Sequence, residues 1–162
     1  MSQSQIDKHL KWCLNDSKRL IKTKPDIELA QKYLKKSEYN YNVMQALENL
    51  KIYDWALNVG FYSIYHCFLA ILAKYGYESK NQSCTITVLL KLVQEKKLAL
   101  DKDLVAQFDT LDIEKNITNP TVRESRETST YGVDTGIDLQ QLKKIKELII
   151  KVQRETIKIL EE

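Results

Sequence analysis

Apolar side chains recur every three or four positions along most of this chain, which is the signature of helices with one buried face. Between Gln5 and Ile21 the apolar positions are Ile6, Leu10, Cys13, Leu14 and Leu20, and Thr23-Lys24-Pro25 ends that spacing, so a first helix is predicted within residues 1–24. Asp26 then stands where an N-cap belongs, ahead of Ile27, Ala30, Leu34, Ser37, Tyr41, Met44 and Leu47, and a second helix is expected to reach Leu50. From Trp55 to Ala73 no side chain is ionised except, when protonated, His66, and apolar residues lie nearly all round the axis. A stretch that long could just span a bilayer, but Asn58, Gly60, Ser63, His66 and several tyrosines interrupt it. It is therefore read as a core helix, with no membrane partner.

Gly76 is suited to stop that helix in a left-handed conformation, and Glu78 to Ser83 reads as a polar loop. Helical spacing returns over Thr85–Lys97 and over Asp101–Asp112. The segment Asn116–Ile137, with Pro120, Gly132, Gly136 and many hydroxyl side chains, reads as a loop. The C-terminal stretch 139–162 is a long helix carrying Leu142, Ile145, Ile149, Val152, Thr156 and Ile159 on one side. The expected fold class is all-α, one domain over residues 1–162, an up-and-down bundle of four to five helices with a long C-terminal helix.

Composition supports this reading. The 162 residues include only 4 Gly and 2 Pro, too few for the frequent turns of an all-β domain, and 43% hydrophobic against 29% charged residues argues against a disordered chain. A net charge of +3, from 25 basic and 22 acidic residues, does not by itself identify a nucleic-acid binder. Cys13, Cys67 and Cys84 are odd in number and widely spaced, as expected of free thiols in a reducing cytoplasm, and the polar start of the chain has no apolar run resembling a signal peptide.

Candidate chemistry is sparse. His9 and Cys13 form one i,i+4 pair of soft ligands, short of the three or four protein ligands a zinc site needs, so neither a metal nor another cofactor is expected. His66 reads as a structural core histidine, satisfied by neighbours such as Tyr62 and Tyr65. The stretch from Arg123 to Gly132 is more informative: Arg123 and Arg126 stand three residues apart in polar surroundings, and guanidinium forks match phosphate geometry.

The order of these features resembles the HEPN family of small α-helical proteins. The resemblance is carried by Tyr53-Asp54-Trp55 through Phe61-Tyr62-Ser63-Ile64-Tyr65-His66, followed by Ala70-Ile71-Leu72 and Gly76, with Ala30 to Glu38 before it and Arg126 with Tyr131-Gly132 after it. It implies a homodimer, frequently paired with a minimal nucleotidyltransferase as a toxin–antitoxin-like system, that binds RNA, a nucleotide or that partner enzyme through the region of Arg123, Arg126 and Tyr131. Many members of the family are metal-independent ribonucleases using an arginine and a histidine four to six residues apart. Here Arg126 matches the arginine, but Tyr131 stands five positions on and no histidine follows; Gln82 stands where relatives often carry another histidine. An ordinary tyrosine, with a pKa near ~10, is ionised about one part in a thousand at pH 7 and makes a poor general base. The leading expectation is therefore binding without efficient cleavage. The alternative is an endoribonuclease using Arg126 and Tyr131 as catalytic residues, with His66 another source of the proton transfer. A third role open to Tyr131 is as the target of nucleotide transfer by the partner enzyme.

Overall fold

The computed structural model describes residues 1–109, 121–133 and 138–162. Among these, seven helices and two short strands follow one another: α1 (Gln3–Leu14), β1 (Leu20–Lys22), α2 (Ile27–Asn49), α3 (Tyr53–Lys74), β2 (Tyr77–Ser79), α4 (Gln82–Gln94), α5 (Lys102–Phe108), α6 (Val122–Tyr131) and α7 (Leu139–Glu161). The chain is mostly helical, as its apolar spacing demands.

Helices α2 and α3 form an antiparallel hairpin around a tight turn in which Lys51 takes a positive φ of 59°. Asp26 caps α2 by accepting a hydrogen bond from the Leu29 amide at 2.9 Å. Helix α3 also packs against α7, α6 and α4. It is long and apolar enough to cross a membrane by length and composition, yet 72% of its most apolar window is buried within the chain's own fold. A seam of small polar groups joins α2, α3 and α7. Gln153 Nε2 donates to Ser37 Oγ at 3.0 Å, and Ser63 Oγ donates to the Ser37 carbonyl at 2.8 Å. Because every one of these groups finds a partner, burial costs little and the seam sets the helices' register.

Four expectations are corrected. The first helix ends at Leu14, and residues 20–22 are instead a strand paired antiparallel with Tyr77–Ser79, in the register Leu20 with Ser79 and Lys22 with Tyr77. Pairing with a segment more than fifty residues away is a tertiary effect to which helical spacing is blind. The polar stretch 78–83 correspondingly holds part of β2 and the start of α4, whose cap is Asn81. Within Asn116–Ile137, residues 122–131 are a helix rather than a loop: Thr121 and Glu124 close a capping box that satisfies two N-terminal amide donors. Residues 116–120 and 134–137 of that segment, and Leu111 of the helix expected over Asp101–Asp112, lie outside the described residues.

The fourth correction concerns the cysteines. Cys13 and Cys84 form a disulfide, with Cα atoms 5.7 Å apart, and only Cys67 is a free thiol. Sequence spacing could not reveal this, because 71 residues separate the partners. The pairing also removes the free-thiol argument for a reducing compartment.

Candidate functional site

Helix α6 lies beside α3, and two contacts place it. Asn58 Nδ2 donates to Thr130 Oγ1 at 2.9 Å, and the Arg126 guanidinium lies over the Phe61 ring, 4.4 Å from its centroid. Gln141 of α7 also donates a hydrogen bond to Ser125. Phe61 is itself held on other sides by Phe108, with ring centroids 4.8 Å apart, and by Tyr65 at 5.9 Å. The aromatic ring is thus a fixed shelf for the arginine.

The environment of Arg126 is unusual for a cation. Its side chain is only 14% exposed, and among the described residues its Nε is buried without a hydrogen-bond partner and its carboxylate neighbour is Glu127 at 3.7 Å. A guanidinium offers five N–H donors, and the one at Nε is left without a partner among the described residues. The cation–π contact stabilises the charge, by about 2 kcal/mol when desolvated, but satisfies no N–H. An anion with several oxygens would.

Arg123 is differently placed. Its Nε lies 3.1 Å from Oδ1 of Asp109, a carboxylate only 3% exposed, which also accepts a hydrogen bond from Gln82 Nε2 at 3.2 Å. Breaking such a pair leaves a buried charge, so Arg123 anchors α6 next to α4 and α5. Tyr131 is 79% exposed at the end of α6. At about 100° per residue, five positions set it roughly 140° round the axis from Arg126. The two side chains therefore project in different directions from one helix, and Thr130, not Tyr131, shares the arginine's face.

The expected core residues divide. Tyr65 is largely buried and hydrogen-bonds Thr85 Oγ1 at 3.2 Å, whereas Tyr62 is 40% exposed. His66 is half-buried, and its Nδ1 lies 2.7 Å from the Tyr62 backbone carbonyl and 3.3 Å from Asn40 Nδ2, rather than against either tyrosine hydroxyl. The carbonyl only accepts, so at the shorter of the two contacts it is Nδ1 that donates. These residues reveal what hydropathy alone obscured: α3 is not covered all round. Trp55, Val59, Tyr62, His66 and Leu69 follow each other at three- and four-residue steps and, with Asn58 beside Val59, make one uncharged stripe that is exposed or half-covered.

Burial holds the pKa of His66 below its usual value; the Tyr62 carbonyl opposes that shift and Lys36 adds to it. His9 is lowered by burial as well. A histidine lowered in the folded state leaves the unfolded chain with more bound protons. Its stabilising contribution is complete above the ordinary value of about 6.5 and is lost as pH falls through the window below it. The unfolding free energy from urea titrations should therefore decrease between about pH 7.5 and 5.5, and decrease less in a His66→Gln protein. An equal decrease in both would show that His66 is not a source.

Cys67 is fully buried and its thiol is pushed up to about 11, which makes it unreactive. Cys13, weighed above as a ligand beside His9, is spent in the disulfide. Among the described residues no three His, Cys, Asp or Glu side chains are grouped so as to hold a metal ion. Comparison with models of known protein families and with curated proteins finds no match to this chain.

Proposed function

We propose that this chain is a HEPN-type helical bundle that works as a homodimer and binds RNA or a nucleotide without cutting it efficiently, in partnership with a minimal nucleotidyltransferase. The observation that carries the reading is Arg126: a nearly dry guanidinium, fixed on an aromatic shelf, whose buried Nε has no hydrogen-bond partner among the described residues. Phosphate supplies what that donor lacks, and the low-dielectric surroundings strengthen the contact. Arg123 supports the site by fixing α6 through Asp109, and Tyr131 contributes an exposed phenol, accessible to a partner enzyme that transfers nucleotides. The divergence of Arg126 and Tyr131 argues against their acting together in catalysis.

The uncharged stripe on α3 supports the homodimer. A face of Trp55, Val59, Tyr62 and Leu69 without charges suits the same face of a second copy, since a two-fold axis brings identical patches together. Light scattering at tens of micromolar that reports only monomer would remove this part of the reading.

Fluorescence anisotropy with a labelled, mixed-sequence single-stranded oligoribonucleotide tests the binding. Arg126→Ala should weaken affinity by roughly tenfold or more, the loss of one charge-assisted contact, and Arg126→Lys should recover only part of it because lysine lacks the planar fork. Equal affinity of the wild-type and Arg126→Ala proteins would refute the assignment.

A further inference from the structure

Helix α1 is attached to the rest of the molecule along a single line. It packs chiefly on α4, with β1 as its other main neighbour, and takes no substantial part in the packing of α2, α3 and α7. Three contacts run along the antiparallel α1–α4 pair. Cys13 is bonded to Cys84, His9 Nδ1 lies 2.6 Å from Thr87 Oγ1, and Lys91 Nζ lies 2.6 Å from Asp7 Oδ1. The Thr87 hydroxyl donates to the Ser83 carbonyl at 2.8 Å, so it accepts the Nδ1 proton of His9. On α4 these partners are residues 84, 87 and 91, one stripe at helical spacing, while Ile86, Leu89 and Leu92 face elsewhere.

Apart from the disulfide, little holds α1 down. Of its twelve residues only Ile6 and Cys13 are buried, Trp12 is 46% exposed beneath Arg19, and the Asp7–Lys91 pair is solvent-accessible. A helix of twelve residues is marginal by itself in water, and exposed ion pairs add little. The covalent bond therefore decides whether α1 stays docked.

We infer that the Cys13–Cys84 disulfide is a redox latch, whose reduction releases α1 from α4 and uncovers the stripe of Cys84, Thr87 and Lys91 while the α2–α3–α7 assembly remains folded. The reductant is a dithiol. One of its thiolates attacks a protein sulfur to give a mixed disulfide, and its second thiol displaces that sulfur. The dithiol leaves as a cyclic disulfide, and Cys13 and Cys84 gain two electrons and two protons as free thiols. Both sulfurs are covered when α1 is docked, so exchange proceeds through fraying of the helix. A reducing compartment holds the latch open and an oxidising one holds it closed. The inference is independent of the proposed RNA site.

The full-length protein provides the test. Alkylation of the denatured, unreduced protein should label one cysteine, Cys67, and prior reduction should raise the count to three. Three labelled cysteines without reduction would show that no latch forms. Dithiothreitol in native buffer should then speed amide hydrogen exchange over residues 3–14 by roughly tenfold or more, with α3 unchanged, and oxidised glutathione should reverse it. Cys84→Ser should behave as the reduced protein does; if that variant fails to fold, reduced wild type supplies the same measurement. Unchanged protection of α1 with both thiols free, or a bond that yields to the dithiol only after global unfolding, would overturn the inference.

Discussion

Replacing Phe61 with alanine should lower the unfolding free energy by about 4 kcal/mol, within the range for truncating a packed aromatic residue, and should weaken binding of the oligoribonucleotide probe, by no more than Arg126→Ala does. Phe61 is 2% exposed and touches three aromatic rings, with Phe108 stacked at 4.8 Å, Tyr62 edge-on at 5.1 Å and Tyr65 at 5.9 Å. Alanine leaves a void that these rings cannot close, because Phe108 is also pinned edge-on by Phe68 at 5.0 Å. The shelf beneath Arg126 disappears at the same time. Phe61→Leu separates the two effects. Leucine keeps most of the volume, so stability should fall by only about 1 kcal/mol, yet it presents no π face to the guanidinium. Urea unfolding and anisotropy on both variants check this. A loss below about 1.5 kcal/mol for Phe61→Ala would contradict the packing described for this cluster.

The second large effect is at Gly76. This residue has a φ of +81°, and a Cβ there would stand 2.7 Å from the Thr23 carbonyl oxygen and 3.2 Å from the Pro25 nitrogen. Those atoms are backbone, and the neighbourhood is tied down: the Thr23 amide donates to the Gly76 carbonyl at 2.8 Å and the Asp26 amide to the Ala73 carbonyl at 2.9 Å. Gly76→Ala therefore combines left-handed strain with displacement of the segment that joins β1 to α2. The expected cost is about 2–3 kcal/mol in urea unfolding. Gly60→Ala is the contrast, since the nearest atom there is the flexible Met44 Sδ at 2.9 Å. It should cost less than about 1 kcal/mol, and equal losses at the two glycines would mean that the backbone clash at Gly76 is not the cause.

Much of the helical framework was legible because a helix is a local structure. The stop at Gly76, the cap at Asp26 and the apolar side of α7 at Leu142, Ile145, Ile149, Val152, Thr156 and Ile159 depend on neighbours a few residues away, and those six positions are all buried. The site was legible only in part. Arg126 was identified from its residue type, but its shelf was not, because Phe61 and Arg126 are 65 positions apart and no local pattern links them. Asp109, the buried partner of Arg123, carried no signal beyond an ordinary carboxylate, and Thr130 was hidden among other hydroxyls. The turn-like composition around residues 122–131 concealed α6, since its helix is stabilised by a capping box and by docking on α3 rather than by an apolar face.

By itself the amino-acid sequence determined that this protein is helical, where most of its long helices lie, and that one of them is too apolar to stand in water uncovered. Periodicity encodes those properties because each follows from which side chains share one face. Tertiary structure decided the rest: the Leu20–Lys22 and Tyr77–Ser79 pairing, the Cys13–Cys84 bond, the uncharged stripe left open on α3, and the resting place of Arg126 on Phe61. Each of these joins groups far apart along the chain, and their free energy exists only once packing has already brought the helices together.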